Sequence, residues 1–170
     1  VKASVANFYY QILNLNKKKA ASIGTIGVQF NNNKKEIENT TLNPIKLSKI
    51  INNLGHKKID HIILEASSHG LRQNRLDGLF FDIGIFTNLS HDHLDYHKNF
   101  KNYQNSKLYL FKYLIKKNGC IITDPTTKQF QEIKKIAKQK NLKLSTVLAK
   151  NSDLELIAHS YKNEYQILKI

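Results

Sequence analysis

The spacing of apolar residues along the chain predicts where helices lie. Val5, Phe8, Ile12 and Leu15 recur at helical intervals, which predicts a helix over residues 3–16. A second helix is predicted to begin at Asn43-Pro44, an N-cap residue followed by proline at the first helical position. Gly55 is predicted to end that helix. Its apolar positions are Leu47, Ile50, Ile51 and Leu54.

Short apolar runs alternate with further helical segments. Strands are predicted near residues 20–26, 61–66, 82–87, 120–123, 142–148, 154–160 and 164–170. Helices are predicted near residues 68–75, 99–117 and 126–140, the second of them stopping at Asn118-Gly119. Alternation of this kind is typical of an α/β fold with a mostly parallel sheet flanked by helices. The last strands have no helix between them and turn at Asn163-Glu164, which predicts a small antiparallel C-terminal appendage.

Composition narrows the class of protein. The chain has 170 residues, which predicts one domain with one moderate core. No apolar run approaches the roughly 20 residues of a membrane helix, and no signal-peptide pattern opens the chain. The single cysteine, Cys120, excludes an internal disulfide and a thiolate zinc cage. We therefore expect a cytoplasmic protein with no membrane partner.

A formal net charge of +14 raises the possibility of nucleic-acid binding. The lysines are scattered, however, and arginine, which most often contacts base edges, occurs only at Arg72 and Arg75. We therefore expect no nucleic-acid partner, and a positive field would instead attract an anionic nucleotide substrate. A non-catalytic basic module remains the alternative, and it would bind any duplex in a salt-sensitive way.

Two dense polar segments indicate where chemistry takes place. One runs from Glu65 to Arg75 and the other from Thr87 to His97, each directly after a predicted apolar strand. In α/β sheets ligands bind at the carboxyl ends of strands, so both segments are candidates for one site. Glu65 supplies a hard oxygen ligand suited to Mg²⁺.

One lysine falls on the apolar side of a predicted helix. Within residues 99–117, Lys107 occupies the same stripe as five apolar side chains, where an unpaired charge is costly. Either its amine reaches solvent at the helix flank, or it faces the active site and is chemically modified. The apolar members of the stripe are Phe100, Tyr103, Leu110, Phe111 and Leu114.

The two polar segments resemble a known family. The pattern E-x-S-S-H-G-L-x-Q-x-R from Glu65 to Arg75, combined with T-N-L-x-x-D-H-L-D-Y-H from Thr87 to His97, is similar to the central domain of the Mur ligases. These are ATP-dependent amide-forming enzymes of bacterial cell-wall synthesis. Weaker matches lie at Gly24–Gly27 and Glu38–Thr41, and the likeness runs from Lys2 to Phe111 and more loosely beyond. It favours the branch that adds the third amino acid of the peptidoglycan stem peptide.

The resemblance implies a P-loop-like ATP domain with ATP and Mg²⁺ as cofactors. It implies that Glu65 and His93 bind Mg²⁺ and that Lys107, as a carbamate, supports the ion. It also implies catalytic roles for Lys2, His93 and Lys107, and cofactor contacts from Lys2 and Ser4. Residues implied to hold the substrate, a UDP-N-acetylmuramoyl dipeptide, are Asn39, Thr40, Thr41, Ser67, Gln73 and Arg75.

Other expectations follow from the same resemblance. A diamino acid, diaminopimelate or lysine, would be the second substrate, and the complete enzyme would be a monomer. Asp92, Asp95 and His97 would hold the loop together, whereas His91 stands where most relatives have arginine and receives no role. Simple turn chemistry remains an equal explanation for Thr40 and Thr41.

The chain departs from the family pattern at two places. The family phosphate loop reads G-T-N-G-K-[TS], but Val1 and Ala3 flank Lys2 here, and backbone N–H cradles need those glycines. Relatives usually carry N-A-D-D near Ile122–Pro125, which weakens the expected contact with the base. With no N-terminal substrate domain and no C-terminal amino-acid domain in view, residues 1–170 are expected to be a single, incomplete central domain, inactive alone.

Two rival enzymes share part of this pattern. A folate-adding ligase has a related domain, but the S-S-H-G-L and D-Y-H residues favour the cell-wall branch. A zinc hydrolase could use His91, His93 and His97, yet the chain lacks the glutamate of an H-E-x-x-H helix.

Overall fold

The computed structural model describes residues 1–31, 33–89, 94–162 and 165–170. The chain forms two compact units, Val1–Asp77 and Gly78–Ile170. Parallel strands and flanking helices occur in both, and a separate two-stranded antiparallel sheet ends the chain. The predicted α/β class with an antiparallel C-terminal appendage is confirmed.

The first unit contains a four-stranded sheet in the order β3-β2-β1-β4. Its elements are α1 (Lys2–Leu15), β1 (Ala20–Gly24), β2 (Gly27–Phe30), β3 (Asn33–Lys35), α2 (Pro44–His56), β4 (His61–Leu64) and α3 (Ser68–Arg72). Strands β1 and β4 are parallel, with Ile23 opposite Leu64. Strands β2 and β3 add antiparallel neighbours that the sequence pattern did not predict. Gly27, at φ 113°, makes the tight turn into β2 possible.

Helix α2 begins as predicted and ends later than predicted. The Asn43 side chain accepts a hydrogen bond from the Lys46 amide at 2.9 Å, which caps the first turn. Gly55 does not end the helix, which continues to His56. The left-handed position is taken instead by Lys58, at φ 54°. The helix therefore closes without glycine at its C-terminal cap.

Helix α1 forms as predicted but does not bury the apolar stripe that predicted it. Phe8 is 63% exposed and Leu15 is 82% exposed, whereas Tyr10 is buried. Val5 is half-buried and Ile12 is exposed. Helical spacing identifies a helix, but which side faces the sheet depends on the strands beside it.

The second unit contains a parallel four-stranded sheet in the order β5-β6-β7-β8. Its elements are β5 (Phe81–Phe86), α4 (Leu94–His97), α5 (Phe100–Tyr109), a π-helical turn (Leu110–Leu114), β6 (Ile115–Thr123), α6 (Phe130–Lys140), β7 (Lys143–Leu148), β8 (Leu154–Glu155), β9 (Ala158–Lys162) and β10 (Tyr165–Lys169). A core of apolar side chains lies between the sheet and its helices. This core contains Phe86, Leu108, Phe111, Ile121, Ile133, Ile136 and Ala137.

The long helix predicted over residues 99–117 is shorter in the structure. Helix α5 passes into a π-helical turn that ends at Leu114, and Ile115 already pairs with Phe81 of β5. The register then shifts, so that Cys120 lies opposite Ile83. Gly84 allows this packing, because a Cβ there would lie 2.9 Å from the Phe111 ring. Pairing with β5 therefore overrides the helical pattern after Leu114.

The remaining elements follow the predicted order with shifted ends, except that the strand predicted near residues 154–160 is divided into β8 and β9, which belong to different sheets. Helix α6 begins at Phe130 rather than near residue 126, because Asp124 holds the Thr126 and Thr127 segment in a turn. Strands β9 and β10 pair antiparallel, and the predicted turn residues Asn163 and Glu164 lie outside the described residues. Within the described ranges, no helix has the length and apolar character needed to cross a bilayer.

Candidate functional site

Glu65 lies at the carboxyl end of the parallel strand pair in the first unit. It follows β4 directly, and its backbone amide donates to the Ile23 carbonyl of β1 at 2.8 Å. The residue is only 7% exposed. Glu65 therefore lies at the sheet edge where α/β proteins bind ligands, as its position after a predicted strand indicated.

Thr25 holds the Glu65 carboxylate through two hydrogen bonds to one oxygen. Its backbone amide donates to Oε2 at 2.8 Å, and its hydroxyl donates to the same atom at 2.7 Å. The Thr25 hydroxyl also lies 3.0 Å from the Thr40 hydroxyl. The sequence pattern did not select Thr25 as a site residue, although it stands directly after the strand beside Glu65.

Thr41 connects the loop before α2 to the segment after β4. Its buried hydroxyl donates to the Glu65 carbonyl at 3.0 Å and accepts from the Ser67 amide at 2.9 Å. Arg75 donates from Nη1 to the Thr41 carbonyl at 2.7 Å. These contacts bring four sequence-predicted site residues together within one unit: Thr40, Thr41, Ser67 and Arg75.

The short helix α3 is fixed by the same group of side chains. The Ser67 hydroxyl accepts from the Gly70 amide at 3.0 Å and so caps the helix. Gly70 lies close to Thr41, because a Cβ there would be 2.6 Å from the Thr41 Cβ. Ser67 and Arg75 therefore support the local backbone, in addition to the substrate contacts predicted for them.

Lys2 reaches the same edge of the sheet from the first turn of α1. Its Nζ lies 3.4 Å from the Ala66 carbonyl oxygen, one residue beyond Glu65. Ser4 is exposed on α1, and Asn39 and Gln73 are also exposed. The structure thus brings Lys2 to the edge that holds Glu65, while Ser4, Asn39 and Gln73 face solvent.

Comparison with known proteins identifies the family. The family model described as Mur ligase middle domain matches residues 2–170. This chain belongs to the Mur ligase middle domain family. The fold agrees with that assignment: the solved structure of a UDP-N-acetylmuramoyl-L-alanyl-D-glutamate–2,6-diaminopimelate ligase superposes with a TM-score of 0.84, covering 96% of this chain and 34% of that one at 24% identity.

Curated relatives of this Mur ligase domain are also named UDP-N-acetylmuramoyl-L-alanyl-D-glutamate–2,6-diaminopimelate ligase. The Rickettsia montanensis protein is 40% identical over 159 residues, which is 91% of this chain and 33% of the relative. The Buchnera aphidicola protein is 39% identical over 166 residues, which is 97% of this chain and 30% of the relative. The chain therefore spans about a third of the length of these relatives.

The donor set of this Mur ligase domain suits a hard divalent cation. Oxygen Oε2 of Glu65 is engaged by Thr25, and in the described part of the chain no lysine or arginine forms an ion pair with this buried carboxylate. A buried carboxylate requires a compensating partner. Among the described residues no three His, Cys, Asp or Glu side chains gather into a cage. Mg²⁺ suits such a site, since it is bound by one or two carboxylates together with substrate phosphates.

In the second unit, Lys107 is half-buried on α5. Its Nζ donates to the Asn88 carbonyl at 3.0 Å and lies 5.1 Å from the centroid of the Tyr103 ring. Asn88 follows β5, so the amine reaches the polar segment at that strand end. The predicted carbamate on Lys107 stays a prediction, as does its metal-supporting role.

The His-rich segment is described only in part. His97 is buried, and its ring packs against Tyr96 and Tyr103 with centroids 4.9 and 5.1 Å away. The Ser106 hydroxyl lies 3.4 Å from its Nδ1. His91, Asp92 and His93 lie outside the described residues, so the predicted metal and catalytic roles of His93 stay predictions.

The Thr41 hydroxyl should contribute strongly to the stability of the first unit. In the Thr41→Val variant the Ser67 amide and the Glu65 carbonyl would each lose a partner near a buried position. We expect the free energy of unfolding of the 170-residue chain to fall by about 2–3 kcal/mol, since each unsatisfied buried group costs ~1–3 kcal/mol. Urea denaturation measures it.

The matched control for Thr41→Val is Thr40→Val. Thr40 is half-buried and makes a single hydroxyl contact, so its loss should cost less than about 1 kcal/mol. Equal effects at the two positions would show that Thr41 does not link the two loops energetically.

Proposed function

We propose that this Mur ligase middle domain supplies the ATP site of a ligase that joins diaminopimelate to UDP-N-acetylmuramoyl-L-alanyl-D-glutamate in peptidoglycan synthesis. The observation that carries the proposal is the buried Glu65 carboxylate, held by Thr25 at a strand end beside Thr40 and Thr41. The names of the curated relatives support the choice of substrates. We further propose that the complete enzyme acts in the cytoplasm.

The proposed reaction has two steps. The D-glutamate side of the dipeptide would present a carboxylate that attacks the γ-phosphorus of ATP, which gives an acyl phosphate and ADP. The amine of the incoming amino acid would then attack the acyl carbon, form the amide and release inorganic phosphate. In the first step negative charge moves from the carboxylate to the ADP oxygen. In the second it develops on the acyl oxygen and then on the released phosphate, while the amine nitrogen gives up its proton to solvent. Positioned charges would stabilise the negative charge in both steps.

Residues of this chain would hold the reacting groups. Glu65 would hold Mg²⁺, with His93 as a second ligand and Lys107, as a carbamate, in support. When bound, Mg²⁺ neutralises charge on the transferred phosphoryl group. Lys2 would place its ammonium near the phosphates, and Ser4 would contribute a hydroxyl at the start of α1.

Substrate contacts would come from the loop before α2 and from the segment after β4. Thr40, Thr41 and Ser67 would accept or donate hydrogen bonds at the muramoyl dipeptide, with Asn39 and Gln73 at its exposed side. Arg75 keeps donors beyond the one that it gives to Thr41 and suits a carboxylate or phosphate through paired hydrogen bonds.

The test is a chimeric ligase in which residues 5–170 of this chain replace the matching segment of the Rickettsia montanensis relative. We expect this chimera to release phosphate from ATP with the muramoyl dipeptide nucleotide and diaminopimelate, at about 1 s⁻¹ or faster. Turnover should require Mg²⁺, and the 170-residue chain by itself should show none. Each candidate substrate is assayed separately, with lysine and a folate acceptor as comparisons.

Two outcomes would contradict parts of this proposal. Activity with the folate acceptor alone would place the domain in the folate-adding branch. An inactive but folded chimera, beside an active parent ligase, would reject the catalytic role of this domain.

A further inference from the structure

We propose that Thr25 is a positioning residue that orients Glu65 towards its divalent cation and links it to Thr40. The inference rests on the proposed function and gives a role to Thr25, which lies in the weaker family match Gly24–Gly27 but received no role from the resemblance. Thr25 stands directly after β1, and Glu65 stands directly after the parallel strand β4. Because Ile23 pairs with Leu64, the two residues meet at the same sheet edge although 40 positions separate them.

The two bonds from Thr25 select one oxygen of the carboxylate. Backbone amide and hydroxyl both donate to Oε2, at 2.8 and 2.7 Å. Within the described ranges no hydrogen bond or ion pair engages Oε1. Two donors on one oxygen fix the plane of the carboxylate and leave the other oxygen available. Mg²⁺ demands near-ideal octahedral geometry, so a fixed ligand plane matters for its binding.

Gly24 confines Glu65 from the other side. A Cβ at Gly24 would lie 2.7 Å from the Glu65 Cβ and 2.8 Å from Oε2, so the carboxylate lies directly against the backbone of β1. The Glu65 amide is bonded to the Ile23 carbonyl. The backbone, Gly24 and Thr25 thus restrict the Glu65 side chain together, and Thr25 provides the hydrogen bonds to its carboxylate.

The hydrogen bonds also have a direction. A carboxylate only accepts, so the single proton of the Thr25 hydroxyl is used on Glu65. The contact between the Thr25 and Thr40 hydroxyls at 3.0 Å must then be donated by Thr40. The Thr40 oxygen is left with lone pairs only, so the substrate group that it meets is a donor, such as an amide N–H or a hydroxyl. Thr25 therefore connects the proposed substrate loop to the proposed metal ligand.

The experiment compares Thr25→Val, which loses the hydroxyl and keeps the backbone amide, with Thr25→Ser, which keeps both. The control is Thr126→Val. Thr126 makes the same pair of bonds to a carboxylate, with its amide and hydroxyl each 2.8 Å from Asp124 Oδ1, in the other unit. Since Thr25 and Thr126 are both exposed, all variants should fold.

In the chimeric ligase, Thr25→Val should raise the Mg²⁺ concentration for half-maximal turnover by about 10- to 100-fold, the usual effect of losing a group that orients a metal ligand. Turnover at saturating Mg²⁺ should largely return. Thr25→Ser and Thr126→Val should stay near the unmodified chimera. An unchanged Mg²⁺ midpoint in Thr25→Val, or a failure of serine to restore it, would overturn the inference.

A second readout does not depend on turnover. Mn²⁺ binding to the 170-residue chain, followed by water-proton relaxation, should be weakened in Thr25→Val and not in the other two variants. If the chimera is inactive but Mn²⁺ binding to the 170-residue chain is weakened in Thr25→Val alone, the proposed function is contradicted and the role of Thr25 is supported. A chain that binds no Mn²⁺, or binds it equally in all variants, would reject the role of Thr25.

Discussion

Replacing Glu65 with glutamine in the chimeric ligase is expected to lower Mg²⁺-dependent turnover by about 100-fold or more. The substitution keeps the shape of the side chain and removes its negative charge. Metal ions contribute several kcal/mol of transition-state stabilisation, and each 1.36 kcal/mol is tenfold in rate, so a weakened metal site has a large effect. The measurement is phosphate release as a function of Mg²⁺ concentration.

Glu38→Gln is the matched control for this substitution. Glu38 is an exposed carboxylate whose ion pair with Lys46 has an N–O distance of 2.9 Å at the surface, where such pairs contribute little. Turnover of the Glu38→Gln chimera should stay near that of the unmodified chimera. The Glu38→Gln and Glu65→Gln chimeras should unfold at about the same urea concentration. Near-normal activity of Glu65→Gln with an unchanged Mg²⁺ dependence would show that Glu65 is not a ligand.

Replacing Lys107 with alanine should remove most activity of the chimera, by about 100-fold on the same scale, if the residue acts as a carbamate near the metal. Added acetate should restore part of the activity by occupying the vacated place. Loss of the bond to Asn88 alone would affect stability by only ~0.5–1.5 kcal/mol, so folding should survive.

The control for Lys107 is Lys101→Ala, because Lys101 is exposed on the same helix. Its substitution should leave turnover unchanged. The direct check is a high-resolution density map of the magnesium-bound chimera, in which the carbamate should extend from Nζ. A bare Lys107 amine in that map, together with an active Lys107→Ala variant, would reject the carbamate. Lys107 would then be an unmodified lysine at the flank of the helix.

The local chemistry of the chain was readable from the sequence wherever the interacting groups are close along it. Asn43-Pro44 predicted the start of α2, since a cap and its target amide are only three residues apart. The polar segment beginning at Glu65 was correctly placed after a strand, since strand and segment adjoin. The family followed from the same segment and was confirmed over residues 2–170.

Boundaries were less predictable where an element ends because of a distant partner. The pattern predicted a helix to residue 117, but Ile115 pairs with Phe81 of β5 and already begins a strand. Strands β2 and β3 carry weak apolar patterns, and they form because β2 pairs with the edge of β1 and β3 pairs with β2. Hydrogen bonds between strands are non-local, so a pattern measured along the chain does not contain them.

In the candidate site, too, some features could be predicted from the sequence and others were decided only by the tertiary structure. Sequence alone predicted which segments form the candidate site, because Glu65, Ser67 and Arg75 lie in one continuous motif. Only the tertiary structure decided that Thr25 holds Glu65, that Thr41 bridges Glu65 to Ser67, and that α1 buries Tyr10 while Phe8 stays exposed. The first of these outcomes depends on parallel pairing of β1 with β4, which brings together a hydroxyl and a carboxylate 40 residues apart. The others likewise depend on contacts between segments that are distant along the chain, which a pattern measured along the chain does not contain.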